Sequence, residues 1–218
     1  MDYAHFDTSV GERKTPTAQF NRPRINIKLQ QLRESAFERS IPTADDETLS
    51  FLITQLRALQ PKNILELGTA TGISGIAMLD ICTGAHLTTV EKNGKFYEEA
   101  IENFKCFGVD MRVNAINGDA GEVLDVLSDT YDFIFMDCAK VQYIKYLPKL
   151  KKLLSRGGVL LADDVLLFGW TTGEAEIPQK RKMLARHVSE YVQAVTDDKE
   201  LFTTIINIGD GLALSVKR

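Results

Sequence analysis

The chain has 218 residues, 44% of them hydrophobic and 26% charged, with a formal net charge of −4. This is enough chain for one α/β domain with a full core, and the composition excludes a disordered tail and a protein that binds polyanions by overall charge. No run approaches the about 18 consecutive apolar residues that a membrane span needs, and the N-terminal MDYAHFDTSVGERK has no apolar signal core. Three widely spaced cysteines, Cys82, Cys106 and Cys138, argue against a disulfide framework or a four-cysteine zinc site and for a reducing cytoplasm. His5, His86 and His187 share no metal-ligand spacing.

In chain order, residues 1–23 are polar, contain Pro16 and Pro23, and read as a loose arm. Between Gly11 and Arg33 six basic residues (Arg13, Lys14, Arg22, Arg24, Lys28, Arg33) stand against Glu12 alone. Such a patch suits phosphate, or is simply a solvated helix face. Two helices follow. In the second, Leu49, Leu52, Ile53, Leu56 and Leu59 recur at helical spacing. Thr43 and Asp46 resemble a capping box at its start, and Pro61 stops it.

From residue 63 the pattern alternates. Strands are expected at 63–67, 86–90, 111–116, 131–136 and 157–162, and helices at about 74–82, 95–107, 120–128, 141–154 and 178–197. FIFM and VLLA are apolar on both faces, as buried parallel strands are. FTTIINI and LALSVKR flank Gly209-Asp210-Gly211 with no room for a helix, which reads as a hairpin. The expectation is a single domain, 1–218, with an arm and helices over 1–60 and an α/β core over 61–218. The sheet is doubly wound, mostly parallel and seven-stranded, and ends in an antiparallel hairpin strand. By analogy of fold that ending is Rossmann-like in the class I methyltransferase manner.

Chemistry is expected at the carboxyl ends of the strands. NILELGTATGISG (63–75) opens a strand onto a turn bracketed by Gly68 and Gly72. The spacing is GxxxG, so the GxGxxG dinucleotide fingerprint is absent. Glu91 ends the second strand, where an acid accepts hydrogen bonds from ribose hydroxyls. Asp119 follows the third, within reach of an adenine amino group, or caps a helix. Glu66 is costly to bury without a partner, and a cationic amino acid moiety is one. These acids beside a glycine turn point to an adenosine cofactor. Asp137 ends YDFIFMD and Asp163-Asp164 end GVLLADD. Adjacent parallel strands bring these carboxylates together, where they repel unless a cation sits among them, and hard oxygen donors select magnesium, calcium or manganese. Lys140 is either a candidate base, if its amine is neutral, or a salt-bridge partner of Asp137.

LELGTATGISG, VEK, GDA, YDFIFMDCAK, GGVLLADDVLLFG and IGDGLALSVKR, in that order over roughly residues 40–218, closely resemble the metal-dependent O-methyltransferases of the catechol and caffeoyl-CoA type. Within that group DCAKVQYIKYL, DVLLFGW, the KRK…EYV helix and GDGLALS look most like the bacterial tRNA 5-hydroxyuridine methyltransferases. The resemblance implies S-adenosylmethionine as donor, with contacts at Glu66, Gly68, Thr69, Ser74, Glu91, Asp119, Ala120, Asp137 and near Ala44. It implies a divalent metal, magnesium first, on Asp137, Asp163 and Asp164, with Lys140 and Asp137 as catalytic residues, and a homodimer. The group usually has Asp-Asn where this chain has Asp163-Asp164, a departure that bears on which metal is preferred. The expected acceptor has two adjacent oxygens. It is 5-hydroxyuridine in a tRNA anticodon loop, with Arg22, Arg24 and Trp170 as substrate contacts, or alternatively a small catechol or caffeoyl-CoA-like diol. A nicotinamide oxidoreductase and a catalytically silent cofactor-binding protein are the competing classes. The missing fingerprint, the terminal hairpin and the clustered aspartates count against the first, and the intact acids and Lys140 against the second.

Overall fold

The computed structural model describes residues 15–218, so His5, Glu12, Arg13 and Lys14 lie outside the described residues. Strands β1 (Asn63–Leu67), β2 (His86–Glu91), β3 (Val113–Asn117), β4 (Tyr131–Met136), β5 (Leu154–Ala162), β6 (Leu201–Ile206) and β7 (Leu212–Lys217) form one sheet. Its order is β3-β2-β1-β4-β5-β7-β6. The first five strands are parallel, and β7 runs antiparallel to both β5 and β6. The expected doubly wound sheet and terminal hairpin are both present.

Around it lie α1 (Ile27–Glu38), α2 (Asp46–Leu59), α3 (Ile73–Ile81), α4 (Gly94–Cys106), α5 (Ala120–Val126), α6 (Tyr143–Leu153) and α7 (Lys182–Asp197). The apolar strands feed two cores through their alternating side chains. Ile134 and Met136 of β4 face a core built with Tyr143, Leu147, Val188 and Tyr191 of α6 and α7. Phe133 and Phe135 face the other, with Leu52, Leu56, Ile76 and Phe104 of α2, α3 and α4.

Several boundaries differ from expectation for local reasons. Short 3₁₀ turns at 110–112, 140–142 and 179–181 take the residues that periodicity assigned to the starts of β3, α6 and α7. The expected Thr43–Asp46 capping box does not form. Asp45 is the cap of α2, its carboxylate accepting from the Thr48 amide at 2.7 Å.

The sheet order reverses between β1 and β4, which opens a crevice at the carboxyl ends of these strands. There the main chains are very close. Gly68 has φ +103°, and a Cβ on it would lie 1.9 Å from the Asp137 carbonyl oxygen. Only glycine allows this approach. Just before it, Glu66 has no solvent exposure. Its carboxylate accepts from the Ser74 hydroxyl at 2.5 Å and the Thr89 hydroxyl at 2.6 Å, so α3, β1 and β2 are tied at one buried group. Burial pushes its pKa up to about 7 against the pull of those two hydroxyls.

Two outcomes are expected. Gly68→Ala should cost about 3 kcal/mol or more, because backbone, not a movable side chain, blocks the new methyl. A denaturant midpoint within about 1 kcal/mol of wild type would show that the two strands part easily. For Glu66, the folded state binds its proton more tightly than the unfolded state does. Its contribution is therefore fully present below about pH 4.5 and is lost as pH rises to about 7, a change of about 3 kcal/mol at most. Glu66→Gln should gain on the wild type across that window. Parallel stability curves for the two proteins from pH 4 to 8 would exclude the ionisation.

Candidate active site

The turn after β1 and the segment before α2 enclose a cleft of about 340 Å³. It is lined by Pro42, Thr43, Ala44, Leu49, Gly68, Thr69, Ala70, Thr71, Ile73, Ser74 and Asp137. Ala44, Gly68, Thr69, Ser74 and Asp137, each expected as a donor contact, are brought together in this lining. Sequence reasoning missed Pro42, Thr43 and Thr71. The TATG turn could have suggested Thr71, but no spacing rule brings 42–44 to it.

The other expected donor residues stand behind or beside this lining. Glu66 meets two hydroxyls where a cation was expected, and it reaches the cleft through Ser74 and, by way of Thr89, through Thr69. Glu91 is buried and accepts from the Ala70 amide at 2.9 Å and the Asn93 amide at 2.7 Å, fixing the glycine turn to β2. Burial raises its pKa against those bonds. Asp119 accepts from Lys92 at 2.7 Å, which holds its pKa low, and caps α5 through the Gly121 amide at 2.9 Å. Ala120 is half-buried as the first residue of α5. Carboxylate oxygens have further lone pairs, so Glu91 and Asp119 can still accept from a ligand. Their first duty is to hold the turns in place.

At the edge of the same cleft the parallel ladders run one residue past the strands. The Asp137 amide donates to Leu67 O and the Asp163 amide to Met136 O, each at 3.0 Å. Asp137 and Asp164 then converge on one cation. The Lys140 amine lies 2.8 Å from Asp137 Oδ1 and 2.8 Å from Asp164 Oδ2. Asp163, 3% exposed, accepts from the Asp164 amide at 2.7 Å and from the Thr48 hydroxyl at 3.4 Å. Asp164 takes a left-handed backbone, φ +56°, which is strained for a non-glycine residue.

Electrostatics follow from burial. Desolvation, then Asp164 and Asp137, push the Asp163 carboxyl well above the usual range. Asp45 is raised too, by burial first, against its Thr48 amide bond, with Asp164 adding to it. Desolvation alone would lower Lys140, but Asp137 and Asp164 outweigh it and hold its proton firmly. Of the two roles the sequence leaves open for Lys140, this arrangement displays the salt bridge to Asp137. As placed, Lys140 is an ammonium.

Among the described residues no group of three or more histidine, cysteine, aspartate or glutamate side chains is gathered to hold a metal ion. The donor set nevertheless fits a hard divalent cation in kind, because carboxylate oxygens from two strand ends already surround one positive charge, that of Lys140.

The expected acceptor contacts fare differently. Trp170 is not a stacking surface. It is 8% exposed and lies in the core under α6 and α7, its ring 5.2 Å from that of Phe168. Arg22 and Arg24 are exposed. Two further described residues of the basic patch are engaged within the protein. Lys28 donates to Cys106 O and covers the Phe107 ring at 4.4 Å, and Arg33 reaches Asp46 at 2.7 Å and Ala44 O at 3.0 Å. No helix among the described residues is long and apolar enough to cross a membrane.

Comparison with known proteins agrees with this geometry. The profile of a family described as O-methyltransferase matches residues 24–218. The tapetum-specific methyltransferase 1 of Arabidopsis thaliana is 32% identical over 88% of this chain and 87% of its own length. A solved structure of a candidate caffeoyl-CoA O-methyltransferase from Staphylococcus aureus is 33% identical, with a TM-score of 0.81 over 88% of this chain and 93% of that one. The fold also matches an S-adenosylhomocysteine-bound methyltransferase from Podospora anserina, 24% identical, with a TM-score of 0.83 over 92% of each chain. The chain belongs to the O-methyltransferase family.

Proposed function

We propose that this enzyme methylates a hydroxyl of a small acceptor bearing two adjacent oxygens, a catechol or a hydroxycinnamoyl thioester. One observation carries the reading: Asp137 belongs at once to the cleft and to the Lys140 cluster, so a methyl donor and an acceptor oxygen would meet across a single side chain. The name of the Staphylococcus aureus relative supports this acceptor class. So does the engagement of Lys28 and Arg33 within the protein, which among the described residues takes two cations of the basic patch away from a nucleic-acid backbone.

Methyl transfer from a sulfonium is an in-line displacement, and its cost falls when the oxygen is held close to the methyl group and ionised. The glycine turn and the 42–44 segment would position the donor. The Lys140 ammonium would hold the developing oxyanion, with Asp137 and Asp164 fixing the ammonium and standing nearest to receive the proton. Asp137, Asp163 and Asp164 are also the residues that would hold a magnesium-like ion, whose chemistry is to lower the pKa of the acceptor hydroxyl. Three free cysteines favour a reducing cytoplasm, and exposed Ile27 and Phe37 on α1 favour a homodimer.

A second reading, 5-hydroxyuridine in a tRNA anticodon loop, draws on the exposed Arg22 and Arg24 just past the 15–21 segment. Labelled S-adenosylmethionine separates the two. Label should enter catechol or caffeoyl-CoA, and undermodified tRNA should stay unlabelled. Label in tRNA alone would reverse the order. Chelation should abolish turnover and magnesium should restore it, whereas turnover indifferent to chelator would leave Lys140 as the sole cation. Lys140→Met should lower kcat by about 10²-fold or more, and a rate within a few-fold of wild type would remove Lys140 from the reaction.

A further inference from the structure

Glu47 lies in the first turn of α2, apart from the cleft and the acid cluster, yet it is only 5% exposed. Its carboxylate is surrounded by donors from two distant segments. From the N-terminal side it accepts from the Thr15 hydroxyl at 2.5 Å, the Thr15 amide at 3.4 Å and the Asn21 side-chain amide at 3.1 Å. From the other end of the chain the Gly209 backbone, in the β6–β7 turn, packs against the start of α2, where an added Cβ would lie 2.2 Å from Asp45 and 3.1 Å from Thr48 and where its amide faces Glu47. Nothing in the methyl-transfer chemistry uses this group.

The β6–β7 turn leads directly to the active site. Asp210 O accepts from the Leu166 amide at 2.8 Å and Gly211 O from the Val165 amide at 2.9 Å, so the turn fixes the segment that follows Asp163-Asp164. Gly209 has φ +51°, and a Cβ there would lie 2.2 Å from the Asp45 carboxylate. The next residue of α2 after Glu47 is Thr48, whose hydroxyl donates to Asp163. Glu47 thus sits where the 15–21 segment, the start of α2 and the turn that braces the acid loop come together.

We propose that Glu47 is a positioning residue that couples the seating of the 15–21 segment to the placement of the Asp163–Asp164 loop. A carboxylate is suited to this because it only accepts, and every neighbour named above donates. A glutamine of the same shape would turn an amide N–H₂ toward those donors and could serve only one side. When the 15–21 segment is seated, Glu47 is held, the β6–β7 turn is held through Gly209, and the acid loop is braced through Val165 and Leu166. The coupling matters for catalysis only on the reading that Asp137, Asp163 and Asp164 form the active site, but the coupling itself can be measured without turnover.

The chain has one tryptophan, Trp170, buried in this loop with its amide donating to Leu167 O at 2.9 Å. Its fluorescence therefore reports the loop directly. Full-length Glu47→Gln, and separately Thr15→Val/Asn21→Ala, should raise acrylamide quenching of Trp170 by about twofold or more, with far-UV circular dichroism unchanged. S-adenosylhomocysteine affinity should stay within about threefold, and the acceptor KM should rise more than kcat falls. Unchanged Trp170 quenching in Glu47→Gln overturns the proposal, and so does a Thr15/Asn21 variant that leaves Trp170 as in the wild type. If Glu47→Gln does not fold, the Thr15/Asn21 variant alone decides, since it removes only side-chain bonds of a surface segment. A wild-type protein that methylates no diol acceptor would sink the acceptor reading and leave the fluorescence result to judge Glu47.

Discussion

One ammonium among buried carboxylates is the constraint on which the site depends. Lys140 is mostly covered and meets Asp137 and Asp164 at the same distance, while Asp163 lies behind them with almost no solvent contact. A pair of unit charges about 4 Å apart interacts by about 4 kcal/mol at the effective dielectric of a partly buried site. A surface ion pair contributes far less. Loss of the cation would leave carboxylates facing one another in a place water reaches poorly, which is the expensive way to break a buried charge cluster. The surroundings supply bonds suited to carboxylates held this close: the Thr48 hydroxyl and the Asp164 amide on Asp163, and the Thr48 amide on Asp45. The left-handed backbone at Asp164 belongs to the same arrangement.

The topology explains why this cluster borders the cofactor cleft. Reversal of strand order at β1 and β4 leaves a gap above their carboxyl ends, and β4 and β5 deliver Asp137 and Asp163-Asp164 side by side into that gap. Gly68 lets the first βα turn lie directly against Asp137. The cleft and the acid cluster are thereby forced to share a residue, Asp137. Such sharing suits a group transfer in which two reactants must touch, and it needs no separate domain to bring them together.

What the sequence made legible follows from how local each signal is. The strands were readable because β1, β4 and β5 are short apolar runs bounded by glycine, proline or charge, and the hairpin because no helix fits between β6 and β7. The acids at strand ends were readable because alternation places them at one edge. Their partners were not. Asp119 looks like a free acid in NGDA, but Lys92, 27 positions earlier, holds it. Thr43 and Asp46 fit a capping pattern, yet Asp45 is the cap, its carboxylate accepting from the Thr48 amide while Gly209 packs against it, a contact that no window of sequence contains. Lys28 and Arg33 read as part of a basic surface, and tertiary packing turned them into struts for α4 and for the 42–44 segment. Trp170 read as a stacking ring because it follows the acid strand, but the loop folds it into the core.

The departure at position 164 gains a meaning from this arrangement. In the group that the sequence resembles, an asparagine usually stands there. An asparagine could still accept from Lys140 but would bring no charge. With aspartate, the ammonium is bracketed by two carboxylates, Asp137 first and Asp164 second, which together keep its proton in place against the desolvation that would strip it. The extra charge also raises Asp163 and Asp45. An asparagine at 164 would leave Lys140 with Asp137 as its one charged partner of the two. Any difference in metal preference or pH response between them should therefore trace to this one side chain before any change in the cofactor cleft, whose lining includes Asp137 but neither Asp163 nor Asp164.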